Sequence, residues 1–208
     1  MKNDISIVIS APSGAGKSTI IERLLRDDPR FEFSVSTTTR KSRGGERDGR
    51  DYFFISEPEF LDKIEKGDFI EWARVHGNYY GTTKKEVDRI KDAGKIPIFD
   101  VDIQGTKNLQ KNIQDAVYIF IVPPSLHILE QRLKNRKTDS EDQINIRLKN
   151  ALSELSEYHI YDYLVINDTV ETALRDVQAI VSAEQCRTQR NSSFMKDIME
   201  AKDDHPPR

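Results

Sequence analysis

The sequence predicts a three-layer α/β fold in which helices cover both faces of a parallel core sheet. Residues 5–10, 96–101 and 117–122 are nearly continuous apolar runs, which are typical of strands buried on both faces of a parallel sheet. Segments with apolar residues at helical spacing alternate with these strands, and a Gly-rich turn follows the first of them. In such a sheet, ligands bind at the carboxyl ends of the strands.

The turn after the first strand is predicted to bind phosphates. Small residues at Gly14, Ala15 and Gly16 let backbone N–H groups point inward, and the helix over residues 19–26 adds its positive dipole end. Lys17 is placed to reach the β- and γ-phosphates, and the Ser18 hydroxyl to hold Mg²⁺. The alternative is a simple Gly/Ser-rich connection. We assign nucleotide binding to Ala11, which replaces the usual first glycine, and to Pro12, Ser13, Gly14, Ala15, Gly16, Lys17, Ser18 and Thr19.

Composition limits the remaining possibilities. The 208 residues suffice for one α/β domain with a small insertion, and a net charge of −3 with 32% charged residues suggests no generic nucleic-acid surface. The single cysteine, Cys186, excludes an intramolecular disulfide and a cysteine-based metal cluster. The sequence shows no signal-peptide pattern and no apolar stretch long enough to span a membrane, so we expect a cytoplasmic protein without a membrane partner. The histidines lack metal-ligand spacing: His76, His127, His159 and His205.

The first half of the chain continues with a strand at 31–36 and a polar loop at 37–49. This loop is basic, and the alternatives are a solvated charge run or a functional loop. Residues 52–55 are predicted to form a strand, and residues 69–75 and 78–81 are predicted to form a hairpin. Capping boxes that begin at Ser56 and Thr83 predict helices ending near residues 66 and 94. Residues 37–82 are therefore predicted to be a small mixed subdomain inserted into the larger fold.

In the second half of the chain, the sequence pattern predicts helices at 103–111 and 125–134. A third capping box, which begins at Ser140, predicts a long helix. One apolar face of the long helix contains Ile144, Leu148, Ala151, Leu152 and Leu155. Residues 134–139 form a basic connection suited to a mobile lid. Residues 163–167 are the last strand, and Asp168 is predicted to cap a helix with an inward face of Ala173, Leu174, Val177, Ile180 and Val181.

Several segments together resemble the guanylate kinases, and the bacterial members most closely. They are residues 36–46 (STTTRKSRGGE), 49–52 (GRDY), 69–73 (FIEWA), 77–82 (GNYYGT), 100–105 (DVDIQG) and 167–168 (ND). The resemblance spans residues 4–186. It implies a P-loop kinase fold with a core at 1–36 and 83–187, a GMP-binding subdomain at about 37–82, a lid at about 134–141 and a C-terminal extension at 188–208.

The resemblance also implies an activity: Mg²⁺-dependent transfer of the ATP γ-phosphoryl group to GMP, and to dGMP, in purine nucleotide metabolism. In the family, the matching positions that hold GMP are Ser36, Arg40, Arg43, Tyr52, Glu71, Tyr80, Thr82, Asp100 and Asp102. Guanine presents N1–H and N2–H₂ donors, so a carboxylate such as Glu71 accepts two hydrogen bonds from guanine and meets no such pair on adenine. Other roles are open: Glu71 as a solvated residue, Tyr79 or Tyr80 as hairpin packing, and Asp102 as a helix cap.

On the ATP side the resemblance assigns binding to the phosphate loop, Arg132 and Arg136. It further implies that Lys17, Arg43, Arg136 and Arg147 stabilise the moving phosphoryl group. The family lid commonly reads Gly-Arg-Gly, whereas this chain has Asn135, Arg136 and Lys137, which keeps the arginine and loses both glycines. For Arg132 and Arg147 the alternative is a surface arginine whose aliphatic chain packs along the protein while its guanidinium stays in solvent.

Two other classes remain as alternatives. One is a P-loop kinase that phosphorylates another small phosphorylated acceptor, and the other is a non-catalytic guanylate-kinase-like module that binds phosphopeptides. Turnover of ATP with GMP separates them from a guanylate kinase. The expected partners are the small molecules ATP and GMP, and the chain is expected to be a monomer or a homodimer.

Overall fold

The computed structural model describes residues 5–75, 77–113, 115–135 and 141–200. Nine strands are formed by these residues: β1 (Ser6–Ser10), β2 (Phe31–Phe33), β3 (Thr37–Thr38), β4 (Phe53–Phe54), β5 (Phe69–Val75), β6 (Asn78–Thr83), β7 (Ile96–Asp100), β8 (Ala116–Val122) and β9 (Tyr163–Ile166). The described helices are α1 (Lys17–Asp27), α2 (Glu57–Glu65), α3 (Lys84–Asp92), α4 (Ile103–Asn112), α5 (Leu126–Lys134), α6 (Glu141–Ser156), α7 (Val170–Gln185) and α8 (Ser192–Glu200).

Five strands form a parallel sheet in the order β2-β7-β1-β8-β9. Strand β1 is central and all of its residues are buried, as its continuous apolar run predicts. In the register, Ile7 lies opposite Ile98 on one side and Val117 on the other. The predicted parallel core sheet is therefore confirmed.

Helices cover the sheet on both faces because successive strand residues point to opposite sides. Ile7 and Ile9 pack in a cluster with buried residues of α1 and α7, such as Leu24 and Val177. Val8 points the other way and packs in a cluster with side chains of α3 and α4. The α7 residues predicted to face inward are buried or half-buried in the first cluster, so the three-layer prediction is confirmed.

A second sheet of four strands has the order β4-β3-β6-β5. The β5–β6 hairpin forms one side, and Phe60 of α2 stacks on Phe69 with ring centroids 4.3 Å apart. Gly81 of β6 is required for close packing, because a Cβ atom there would lie 2.7 Å from the backbone oxygen of Glu71. The chain leaves the core after β2 and returns to it through α3.

The predicted strand at 31–36 is too long. Strand β2 ends at Phe33, and Thr37 and Thr38, which were predicted to lie in a loop, form β3 of the second sheet. Between the two strands the Val35 N–H binds the Glu86 carboxylate at 3.2 Å instead of a strand carbonyl. This side-chain contact from α3 replaces the backbone hydrogen bonds between strands at the point where the chain passes from one sheet to the other.

Of the predicted capping boxes, the one at Ser56 is confirmed, because Ser56 and Glu59 bind each other's backbone N–H groups. At Thr83 the hydroxyl accepts from Glu86 N, but the Glu86 carboxylate turns to Val35 and Arg89, so only half of the box forms. Ser140 lies outside the described residues.

Two further predictions are corrected in the second half. Thr169 rather than Asp168 caps α7, and its hydroxyl accepts from Thr172 N at 3.2 Å. Leu152 is 50% exposed, whereas Ile144 and Ala151 pack in a cluster with residues of α5. Position 152 thus lies just beyond the stripe of α6 that α5 covers. None of the helices that the described residues form combines the length and apolar character needed to cross a membrane.

Candidate active site

The phosphate loop joins the carboxyl end of β1 to α1. Gly14 and Gly16 have φ values of 89° and 96°, a left-handed conformation that glycine adopts without strain. A Cβ atom at Gly16 would lie 2.4 Å from the Asn167 side-chain nitrogen. At these two positions the loop therefore needs glycine, and α1 begins at Lys17 with its N–H groups facing the loop.

Asn167 and Arg132 hold the loop from outside. The buried Asn167 side chain donates to the Ala15 carbonyl at 2.7 Å, and Arg132 donates to the Asn167 carbonyl at 2.9 Å. Arg132 also reaches the Ala15 carbonyl at 3.4 Å. Asn167 was not assigned a role from the sequence, although it belongs to a segment that resembles the family and lies at the carboxyl end of the last core strand.

Lys17 lies between the loop and the neighbouring strand. Its ammonium group forms an ion pair with Asp100 and donates to the Val101 carbonyl at 3.0 Å. Asp100 ends β7, which pairs directly with β1, so the sheet register brings the carboxylate to the loop. The resemblance assigned Asp100 to the GMP side, and in this structure it contacts Lys17.

Two pockets flank the loop. One of about 310 Å³ is lined by the predicted phosphate-binding residues other than Ala15, and by Glu154 of α6, which accepts from the Ser13 N–H at 3.1 Å. Another of about 270 Å³ is lined by loop glycines, Arg132, Asn167 and Asp168. Glu154 was not predicted, because its helix position carries no local signal of contact with a loop 141 residues earlier.

Arg40 in the second sheet is held by a carboxylate and by aromatic rings. Its guanidinium donates to both Glu46 oxygens at 2.8 and 3.0 Å and lies 5.3 Å from the Tyr52 ring centroid. The Glu46 carboxylate raises the pKa of Arg40. Glu46 also accepts from the Arg43 N–H at 2.7 Å, whereas the Arg43 side chain is exposed. Tyr52 and Tyr80 meet edge to face with ring centroids 6.1 Å apart.

Glu71 is buried in the second sheet, so the alternative that it is a solvated residue is wrong. It is 8% exposed and accepts a hydrogen bond of 3.0 Å from the Thr82 hydroxyl. Burial raises the pKa of Glu71 to about 7, and the Asp102 charge adds to the increase. Asp102 caps α4 by accepting from Gly105 N at 2.7 Å, so its alternative role as a helix cap is real.

The remaining residues predicted for the site have fewer contacts with the groups described above. Ser36 lies half-buried between β2 and β3, and its carbonyl accepts from Phe53 N. Tyr79 stacks on Phe60 with centroids 5.3 Å apart, which is the hairpin packing that was one alternative for the two tyrosines. Arg147 is half-buried on α6, and Arg136 with most of the predicted lid lies outside the described residues.

The phosphate loop at the carboxyl end of β1, with Lys17 at the start of the following helix, defines a nucleotide-binding α/β protein of the P-loop kinase type. A family model described as guanylate kinase matches residues 3–184. The chain therefore belongs to the guanylate kinase family.

Individual relatives agree with this family. The chain is 45% identical to a guanylate kinase of Clostridium tetani over 91% of each chain. It is 46% identical to a guanylate kinase of Myxococcus xanthus over 88% of each chain. Among solved structures, guanylate kinase from Anaplasma phagocytophilum is 33% identical with a TM-score of 0.66, and the match covers 89% of this chain and 88% of that one.

Proposed function

We propose that this chain is a guanylate kinase that transfers the γ-phosphoryl group of ATP to GMP and releases ADP and GDP. The observation that carries the proposal is the combination of a phosphate loop in the core sheet with a buried carboxylate, Glu71, in the second sheet. Both lie in a chain whose relatives bear the name guanylate kinase.

On the ATP side, N–H groups of the loop and Lys17 would bind the phosphates. Ser18 is exposed and lines the same pocket as Lys17, and oxygen donors such as its hydroxyl are the ligands that Mg²⁺ prefers. Ser18 would hold Mg²⁺ together with the phosphates and water, and the bound ion would offset part of the phosphate charge. Arg132, Asn167 and Asp168 line the adjoining pocket, which can take the nucleoside.

On the GMP side, Arg40, Arg43, Tyr52 and Tyr80 would bind the phosphate. A guanidinium fork binds two oxygens of one anion, and Arg40 already binds both oxygens of Glu46 in this way. The GMP phosphate therefore has to compete with Glu46 or bind beside it. Both arrangements would bring the acceptor phosphate next to two arginines.

Glu71 would distinguish guanine from adenine. A deprotonated carboxylate accepts from the N1–H and N2–H₂ groups of guanine, and the same edge of adenine offers no such pair of donors. Thr82 already donates to one Glu71 oxygen and so fixes the orientation of the carboxylate. Ser36 and Asp102 would contact the other polar atoms of the base.

The reaction needs no general base, because the second pKa of a phosphate monoester is about 6 and the acceptor oxygen is already mostly ionised at neutral pH. The protein has to align two polyanions and neutralise charge on the moving phosphoryl group. In this proposal, Lys17 would act from the phosphate loop, Arg43 from the acceptor side, and Arg147 from α6. Arg136 in the proposed lid would complete this set and help to exclude water.

The direct test is ADP formation by the purified protein with Mg²⁺ and ATP and with GMP, dGMP, AMP, UMP or CMP as the acceptor. We expect fast turnover with GMP, turnover with dGMP, and little with the other nucleotides. ATP turnover with a different acceptor alone would favour another P-loop kinase. Binding without turnover of any acceptor would favour a non-catalytic module.

We further propose that the protein works in the cytoplasm as a monomer or a homodimer. The residues at 37–82 would act as the GMP-binding subdomain and those at 134–141 as the lid. Because water must be excluded during phosphoryl transfer, both should close over the substrates. Small-angle scattering with and without both nucleotides tests this proposal, and identical profiles would contradict it.

A further inference from the structure

Glu154 is a carboxylate that none of the roles above uses, although it lies at the phosphate loop. It is half-buried on α6, and its Oε2 accepts from the Ser13 N–H at 3.1 Å. Together with Lys17, Ser18 and Thr19 it lines the pocket of about 310 Å³. A side-chain anion therefore occupies part of a loop whose backbone N–H groups are suited to bind phosphate.

The described side chains that line this pocket are nearly balanced in charge before any phosphate enters. Among the described residues that line it, Lys17 is the cation and Glu154 the carboxylate. The Lys17 ammonium is itself paired with Asp100. Arg132 stands outside the loop and donates to backbone carbonyls. A triphosphate that enters the pocket thus meets the negative charges of Glu154 and Asp100 at close range.

Like charges brought together in a partly dehydrated site repel strongly. Mg²⁺ cancels about two of the charges on a triphosphate, so the repulsion is much weaker for the metal-bound nucleotide. The Ser18 hydroxyl lines the same pocket and is an oxygen donor of the kind Mg²⁺ takes. The Glu154 carboxylate and a metal ion held by Ser18 would therefore act on the same bound phosphates.

We propose that Glu154 is a specificity-determining residue that makes the phosphate loop select the metal-bound nucleoside triphosphate over the metal-free form. This inference rests on the proposed ATP site. Glu154 disfavours the bare triphosphate by repulsion at the Ser13 side of the loop, and Mg²⁺ relieves that repulsion. The residue acts on the form of the nucleotide and not on the acceptor.

The test is binding of β,γ-imido ATP to the full-length protein by calorimetry, in EDTA and in excess Mg²⁺, with Glu154→Gln as the variant. The amide oxygen of Gln can still accept from the Ser13 N–H, so the contact is kept and the charge is lost. We expect affinity in EDTA to rise about tenfold and affinity in Mg²⁺ to change less than about threefold. Glu154→Ala, which also removes the contact, should raise the affinity in EDTA as well.

The matched control is Glu157→Gln, which removes a carboxylate one turn further along that pairs with Lys107 outside this pocket. Its ratio of affinities in Mg²⁺ and EDTA should equal that of the unsubstituted protein. The proposal is overturned if Glu154→Gln leaves this ratio unchanged, or if it weakens binding in Mg²⁺ more than in EDTA, which would make Glu154 a support for the metal. Absence of nucleotide binding by the unsubstituted protein would refute the proposed function as well.

Discussion

Glu71 and Thr82 lie directly opposite each other on β5 and β6, and the Thr82 hydroxyl donates a hydrogen bond of 3.0 Å to Glu71 Oε1. Both residues are buried, with exposed fractions of 8% and 1%. The pair presents one fixed carboxylate from the second sheet. This geometry is the basis of the first two predictions.

We predict that Glu71→Gln removes the preference for GMP. An amide keeps one accepting oxygen and presents an NH₂ donor where the carboxylate has its second oxygen, so one guanine donor loses its partner; about 1.5–3 kcal/mol of binding is lost, which raises KM for GMP by roughly 10- to 100-fold. Steady-state kinetics with GMP and AMP measure the change. Glu65→Gln, which alters an exposed glutamate of α2, should leave both KM values unchanged. Unaltered GMP kinetics in Glu71→Gln would exclude Glu71 from base recognition.

The raised pKa of Glu71 also predicts a pH-dependent stability. Its pKa is about 7 when folded and 4.5 ordinarily, so the folded protein binds this proton more tightly than the unfolded chain. The stabilisation is fully present below about pH 4.5 and is lost as the pH rises through about 7, a change of about 3 kcal/mol.

Urea unfolding of the unsubstituted protein and of Glu71→Gln between about pH 5 and about pH 8 measures this effect. The variant should gain stability relative to the unsubstituted protein as the pH rises. Carboxylates with lowered pKa values, such as Asp28, act in the opposite direction, but they are common to both proteins and cancel in the difference. A difference that does not change with pH would contradict the prediction.

We predict that Lys17→Ala abolishes phosphoryl transfer while the fold persists. Loss of the ammonium group removes charge stabilisation of the transferred phosphoryl group, and kcat/KM should fall about 1,000-fold or more. The Lys17 and Asp100 side chains are 20% and 28% exposed, so solvent limits the cost to stability of the lost ion pair. Circular dichroism checks the fold, and Lys85→Ala on the exposed side of α3 is the control. Normal turnover in Lys17→Ala would rule out the phosphate-loop assignment.

We predict that Arg40→Lys raises KM for GMP by roughly tenfold or more and leaves KM for ATP nearly unchanged. Lysine keeps the charge but cannot form the two parallel hydrogen bonds that the guanidinium makes with Glu46. Arg74→Lys is the matched control, because Arg74 lies over the Tyr79 ring on the same sheet and has no predicted role at the phosphate. Equal effects of the two substitutions would refute a specific role for Arg40.

We predict that Asn167→Ala destabilises the protein by about 1–2 kcal/mol and raises KM for ATP several-fold. The substitution removes the buried 2.7 Å hydrogen bond that the Asn167 side chain donates to the Ala15 carbonyl of the phosphate loop. Urea unfolding and ATP kinetics give the two values. Asn112→Ala, at an exposed asparagine that binds a helix carbonyl, should change neither. A loss of stability without any change in KM for ATP would limit Asn167 to a structural role.

The sequence predicted the elements that depend on local patterns. Continuous apolar runs identified the core strands, small residues before Lys17 identified the phosphate loop, and Ser56 identified the start of α2. These features are encoded by neighbouring residues, since burial on both faces and capping leave a signal within a few positions. The family resemblance then supplied predicted roles for residues whose patterns alone were ambiguous, such as Glu71.

The tertiary structure decided which distant groups meet. Asn167 and Glu154 reach the phosphate loop across 152 and 141 residues, and Asp100 reaches Lys17 across 83. The turning of Glu86 away from its own helix cap and toward Val35 is a further case. No local pattern encodes these contacts, because the order of strands in the sheet and the packing of α6 bring the partners together. The sequence by itself determined the phosphate loop and the core strands, and the fold determined which carboxylates and amides surround them.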